Sequence, residues 1–228
     1  MSFEIDGWPF WERQFARFLS AQAADVAHDD GHIQRVVAAA RSLALAEGAE
    51  LAVVLPAAWL HDCVSVAKDS PLRSQASRLA AEAATDFLGA IGYPAAHLPG
   101  IAHAIAAHSF SANLAPATLE ARVVQDADRL DALGAVGIAR CLMLSGALGR
   151  RLYDPAEPFA QGRPLDDTLN TIDHFYCKLL GLAERMQTAA GRAEAERRTV
   201  AMRAFLAQLE SELPATGGAS GDARQHQP

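Results

Sequence analysis

An all-α fold follows from three properties of this 228-residue chain. Apolar residues recur at helical spacing along nearly its whole length, Ala and Leu fill most of those positions, and strict alternation of β-branched residues is missing. Half of the residues are hydrophobic, enough for one well-buried core, so residues 1–213 read as a single helical domain. The stretch 214–228, with Gly-Gly-Ala-Ser-Gly and no apolar anchors, reads as a flexible tail.

The rhythm predicts helices near 9–27 and 32–47, the second closed by Gly48. A helix near 50–64 opens on the apolar run from Leu51 to Leu60. Ser70-Pro71 punctuates the chain before a helix near 74–90, and Gly92-Tyr93-Pro94 stops that helix ahead of one near 96–107. Helices near 117–131 and 133–147 come next. Tyr153 to Pro164 holds three prolines and a glycine, so 153–165 reads as an ordered loop or lid. Helices near 166–188 and 192–211 complete the order.

A net charge of -7, with no run of Lys or Arg longer than two, offers no footprint for a nucleic-acid backbone. Polymeric DNA or RNA is therefore not an expected partner. A small anion remains compatible, because a bound cation and a few local bases reverse the potential inside one cleft. Cys63, Cys141 and Cys177 are odd in number and widely spaced, which fits a reducing, cytoplasmic compartment rather than a disulfide framework. The first residues lack a basic stretch followed by an apolar core, and apolar runs elsewhere stop short of a bilayer span, so no membrane partner is expected. The Ala- and Leu-rich helices suit a homo-oligomer as well as an ordinary core.

His61-Asp62, at the end of the apolar run, is the most informative local feature. A carboxylate beside an imidazole in apolar surroundings invites a metal, because a buried charge is costly unless paired or coordinated. The two side chains leave a helix about 100° apart yet can converge on an ion between them. His32 lies upstream, and Asp126 and Asp128 lie downstream. The two downstream carboxylates point roughly 200° apart on a helix, so only one faces a shared ion.

The ordered His, His-Asp, Asp array resembles the HD superfamily of metal-dependent phosphohydrolases, and more closely its small stand-alone bacterial subgroup. The likeness is carried by His28-Asp29…His32-x-x-Arg35-Val36, Leu60-His-Asp62, Lys68-x-x-Pro71 and Ile105-x-x-His-Ser-Phe110. It is strongest in the run from Val123 to Arg140 and extends to Asp173-His-Phe-Tyr-x-Lys178, so that it spans residues 20 to 212. It implies an HD-type helical bundle with additional C-terminal helices. It also implies His32, His61, Asp62 and Asp128 as ligands of one divalent ion, since Asp128 sits in the superfamily's Ala-Asp-x-Leu context. Mn²⁺ is the expected ion, and Mg²⁺, Co²⁺, Fe²⁺, Zn²⁺ or Ni²⁺ also suit nitrogen and oxygen donors without thiolates.

Around that set, His28 is expected as a supporting or phosphate contact, Asp131 as the group that orients a histidine ligand, and Asp126 as a structural ion pair. Lys68 and His108 are the expected catalytic side chains, and Lys68, Arg73 and Arg129 the cations that meet phosphate. His103 divides evenly between packing and function; His174, Tyr176 and Lys178 read as packed or solvated helical residues. The expected partner is a nucleotide or phosphate ester, and the expected reaction is hydrolysis of a phosphoester or phosphoanhydride bond; the resemblance implies pyrophosphohydrolysis of a nucleoside triphosphate to monophosphate and pyrophosphate, with monophosphatase and phosphodiesterase action left open. Ser65 stands where the HD nucleotidase pattern has Glu, and Gly92-Tyr93-Pro94 lacks the His-rich surroundings of cyclic-di-GMP phosphodiesterases. The alternatives are an HD-type di-iron oxygenase and a non-catalytic helical module that binds a metal or nucleotide.

Overall fold

The computed structural model describes residues 7–22, 30–66, 70, 72–109 and 112–214. Its helices are α1 (Trp8–Gln22), α2 (Asp30–Glu47), α3 (Leu51–Leu60), α4 (Ala76–Ala90), α5 (Leu98–His108), α6 (Leu119–Leu130), α7 (Gly134–Ala147), α8 (Thr171–Cys177) and α9 (Ala189–Glu212). Short 3₁₀ turns at Arg73–Gln75, Ala95–His97, Leu179–Gly181 and Ala183–Arg185 join them. Among the described residues there is no β-strand, and the all-α class is as expected.

The core is organised around α3. Every residue of this helix from Ala52 to Leu60 is buried, because it is apolar on all sides and packs against α1, α2, α4, α5 and α6. Small residues let the neighbours approach: a Cβ on Gly100 of α5 would stand 3.2 Å from the Val53 side chain. Pro56 lies inside α3 and cannot donate to the Ala52 carbonyl. The Tyr93 hydroxyl donates to that carbonyl instead, at 2.7 Å. Gly92, with φ +76, makes the turn that delivers the buried Tyr93 ring.

Two helices differ from expectation. The third ends at Leu60 rather than near 64, with His61 as its cap residue and Cys63 N–H donating to the Leu60 carbonyl. The expected helix over 166–188 is instead α8 and two 3₁₀ turns. Its first residues are taken by other bonds: Arg151 exchanges backbone hydrogen bonds with Leu169 and Thr171, and Asp166 Oδ1 accepts from Thr168 N–H. The irregular stretch before α8 is tied down by the buried Asp173, which accepts from both guanidinium arms of Arg163 at 2.6 and 2.7 Å and from Asp166 N–H at 2.7 Å. The far end of the expected first helix, near 27, and the tail beyond Pro214 lie outside the described residues. Among the described residues no single helix is long and apolar enough to cross a membrane.

Candidate metal centre

Four helices converge on one point. His32 stands in the first turn of α2, His61 and Asp62 follow the last turn of α3, His108 ends α5, and Asp128 lies in the last turn of α6. Three of these are helix C-termini, whose unpaired carbonyls favour a cation. One ligand atom each from His32, His61 and Asp128 lie within 4.8 Å of one another, and so do those of His61, Asp62 and His108.

The separations suit a shared ion. His32 Nε2 is 3.3 Å from His61 Nε2 and 3.5 Å from Asp128 Oδ1. His61 Nε2 is 3.8 Å from Asp128 Oδ1 and 3.7 Å from Asp62 Oδ2. Around an octahedral ion with ligands about 2.1 Å away, neighbouring donors stand about 3.0 Å apart and opposite ones about 4.2 Å. All four separations fall between those limits.

Hydrogen bonds outside this group aim the imidazoles. His61 Nδ1 donates to the Ala58 carbonyl at 2.8 Å, and His32 Nδ1 donates to Asp131 Oδ2 at 2.7 Å. With Nδ1 so engaged on both rings, the two Nε2 atoms face each other at 3.3 Å. Two lone pairs at that distance repel unless a cation lies between them. Burial holds the His61 imidazole below its ordinary pKa, against the pull of Asp62, which keeps it neutral and able to ligate. Desolvation alone would raise the Asp62 carboxyl, but the adjoining His61 imidazole and a hydrogen bond from His108 hold it well below the usual carboxylate range. His108 Nδ1 donates to the Ile105 carbonyl at 2.6 Å, and its Nε2 lies 3.4 Å from Asp62 Oδ1. Burial would lower this imidazole, yet the hydrogen bond to Asp62 and the charge of Asp128 raise it.

Asp131 touches His32 as expected of an orienting group, and two residues with no role assigned from sequence hold it. Arg35 Nε donates to Asp131 Oδ1 at 2.6 Å, and Arg140 Nη1 reaches Oδ2. Three donors keep this carboxyl ionised, although burial pushes the other way. The spacing His32-x-x-Arg35 is a signal that could have found Arg35, because residues three apart share a helix face. Arg140 arrives from α7, and no local pattern announces it.

The remaining site residues divide. Asp126 faces away from the centre and makes no ion pair among the described residues: it accepts from Gln187 N–H, Thr188 N–H and the Thr188 hydroxyl, each at 2.8 Å. A segment 61 and 62 residues downstream, invisible to local spacing, sets that role. His103 accepts from Ala117 N–H at 2.9 Å. Arg129 does line the cleft over the centre, a space of about 490 Å³ shared with His32, His108, Asp128 and Arg140. His28 and Lys68 lie outside the described residues, as does the side chain of Arg73.

Known proteins share this architecture. The HD domain family model matches residues 30–133. The uncharacterized protein YpgQ of Bacillus subtilis (strain 168) is 36% identical over 191 residues, covering 82% of this chain and 85% of YpgQ. The crystal structure of Bacillus subtilis YpgQ in complex with ADP aligns with a TM-score of 0.67 at 32% identity, covering 90% of this chain and 97% of that one. The structure of an HD-superfamily hydrolase from Bacillus thuringiensis aligns with a TM-score of 0.67 at 32% identity, covering 88% and 97%. A shared helical fold over most of both chains, with a His, His-Asp, Asp array where its helix ends meet, makes this chain a member of the HD superfamily, among the small stand-alone proteins homologous to YpgQ.

Proposed function

We propose that the chain is a metal-dependent phosphohydrolase acting on a nucleotide, with pyrophosphohydrolysis of a nucleoside triphosphate as its reaction. The observation that carries this reading is the pair of Nε2 atoms of His32 and His61 facing each other beside Asp62 and Asp128. These four residues are proposed to hold one divalent ion, manganese first among the candidates. When bound, such an ion activates water near neutral pH and neutralises charge on the attacked phosphate. His61 is shared by both ligand groups found among the described residues, and its single free nitrogen supports one ion rather than the two of an oxygenase. The YpgQ complex with ADP supports the nucleotide class.

The chain's own residues supply the rest. Asp62, with a side chain 57% exposed, leaves the centre open to solvent. His108, when charged, holds one proton on the Ile105 carbonyl and one at Nε2 beside Asp62, the candidate proton for the leaving oxygen. Arg129 stands next to Asp128 and lines the same space, where it meets phosphate. Lys68 and Arg73 remain proposals from sequence for further phosphate contacts.

The test is a panel of nucleoside tri-, di- and monophosphates assayed with several divalent ions, each product identified. Pyrophosphate release from a triphosphate is expected, and His61→Ala and Asp128→Ala should each remove bound manganese and activity while circular dichroism keeps its helical signal. Retained metal and nucleotide binding with no turnover across the panel would instead establish the non-catalytic module.

A further inference from the structure

Four cationic side chains line the cleft over the centre: Arg129, Arg140, Lys178 and Arg185. Two of them are engaged. Arg140 is committed to Asp131, and Arg129 Nη1 donates to the Arg185 carbonyl at 2.6 Å. Lys178 and Arg185 are exposed and have no carboxylate in ion-pair contact among the described residues. Asp167, an acid on the same wall, is taken by His174 Nδ1 at 2.7 Å.

Both cations rise from fixed backbone. Lys178 directly follows α8, its N–H donating to the His174 carbonyl at 3.0 Å, and the next residue, Leu179, is buried. Arg185 closes the turn Ala183–Arg185, which α6 grips at two places: Arg129 on the Arg185 carbonyl and Asp126 on the N–H groups of Gln187 and Thr188. Gly191 allows that grip, since a Cβ there would stand 2.4 Å from Asp126 Oδ2. Asp126, which does not face the metal centre, thus anchors the segment that brings a free guanidinium beside it.

We infer that Lys178 and Arg185 form a subsite for the phosphate chain of a nucleoside polyphosphate, so that the substrate extends at least one phosphoryl group beyond the one at the metal centre. This rests on the nucleotide reading above. Asp62 and Asp128 offset the charge of a divalent ion, and Asp131 already holds Arg35 and Arg140 in place, so a second or third phosphoryl group draws on cations further along the cleft. A phosphate carries about two negative charges at neutral pH. Lys178 supplies a mobile point charge and Arg185 a planar fork for two oxygens.

Calorimetric titration of the full chain with inorganic tripolyphosphate in EDTA buffer reads the protein cations alone. The double variant Lys178→Met, Arg185→Met should bind at least about 10-fold more weakly. Arg13→Met, which removes an exposed charge from α1, should not weaken binding, and the charge-keeping pair Lys178→Arg, Arg185→Lys should retain most of the affinity. Equal tripolyphosphate affinity in wild type and the Met double variant, or none in wild type, overturns the subsite. So does a double variant that loses manganese affinity together with tripolyphosphate, which would mark a structural role. Tripolyphosphate binding by a wild-type chain that hydrolyses no nucleotide leaves the subsite standing and removes the hydrolase reading. Triphosphate hydrolysis with an unchanged KM in the Met double variant does the reverse.

Discussion

His32 is a ligand candidate only because Asp131 makes it one. An isolated imidazole exchanges its proton between two nitrogens, whereas the Asp131 carboxylate draws the proton to Nδ1 and leaves Nε2 bare. Arg35 and Arg140 fix the carboxylate in turn. Asp131→Asn weakens both parts of that arrangement, since it removes the negative charge that draws the His32 proton and leaves two guanidinium charges near the ion. Manganese affinity, read by electron paramagnetic resonance, should fall about 10- to 100-fold with helical content retained. Tyr93 shows the same dependence of one group on another: its hydroxyl serves a carbonyl that Pro56 leaves without a partner. Tyr93→Phe should cost about 1–3 kcal/mol in urea unfolding, because the Ala52 carbonyl stays buried.

The irregular stretch before α8 depends on one buried carboxylate. Arg163 and the Asp166 N–H hold Asp173, and the bidentate pair with Arg163, opposed by burial, sets its carboxyl below the usual range. A depressed folded pKa means stability present above the unfolded value of about 3.9 and lost as pH falls toward the folded one. Asp173→Asn leaves Arg163 without its partner and should cost about 3–5 kcal/mol near neutral pH. The melting temperature of the variant should also fall less steeply than that of wild type below about pH 4. Of the elements, the helices with a strong apolar rhythm were legible from sequence, α3 most of all. Residues 166–170 were not, because Arg151, 20 positions away from Thr171, recruits their backbone before a helix can.

In the molecule as a whole, the proposed ion joins the ends of α3 and α6 to the start of α2. An ion that binds only the folded chain stabilises it by mass action, about 2.7 kcal/mol at a free concentration 100 times Kd. For a chain of this length that corresponds to a rise in Tm of roughly 5–11 °C. Differential scanning calorimetry should show that rise with manganese and its reversal by EDTA; an unchanged Tm across manganese titration would count against the centre.

The amino-acid order alone determined the helical class and most helix positions, and it named His32, His61, Asp62 and Asp128 as candidate ligands, because apolar periodicity and the His, His-Asp, Asp array are local patterns that resemble a known family. Tertiary structure decided what surrounds them. Asp126 became an anchor for a distant turn, Arg35 and Arg140 became the hold on Asp131, and Lys178 and Arg185 came to line the cleft. Those roles depend on hydrogen bonds and charges between segments far apart in sequence, and only the packing of α6, α7 and α9 around α2 and the α8 turns brings such groups within reach of one another.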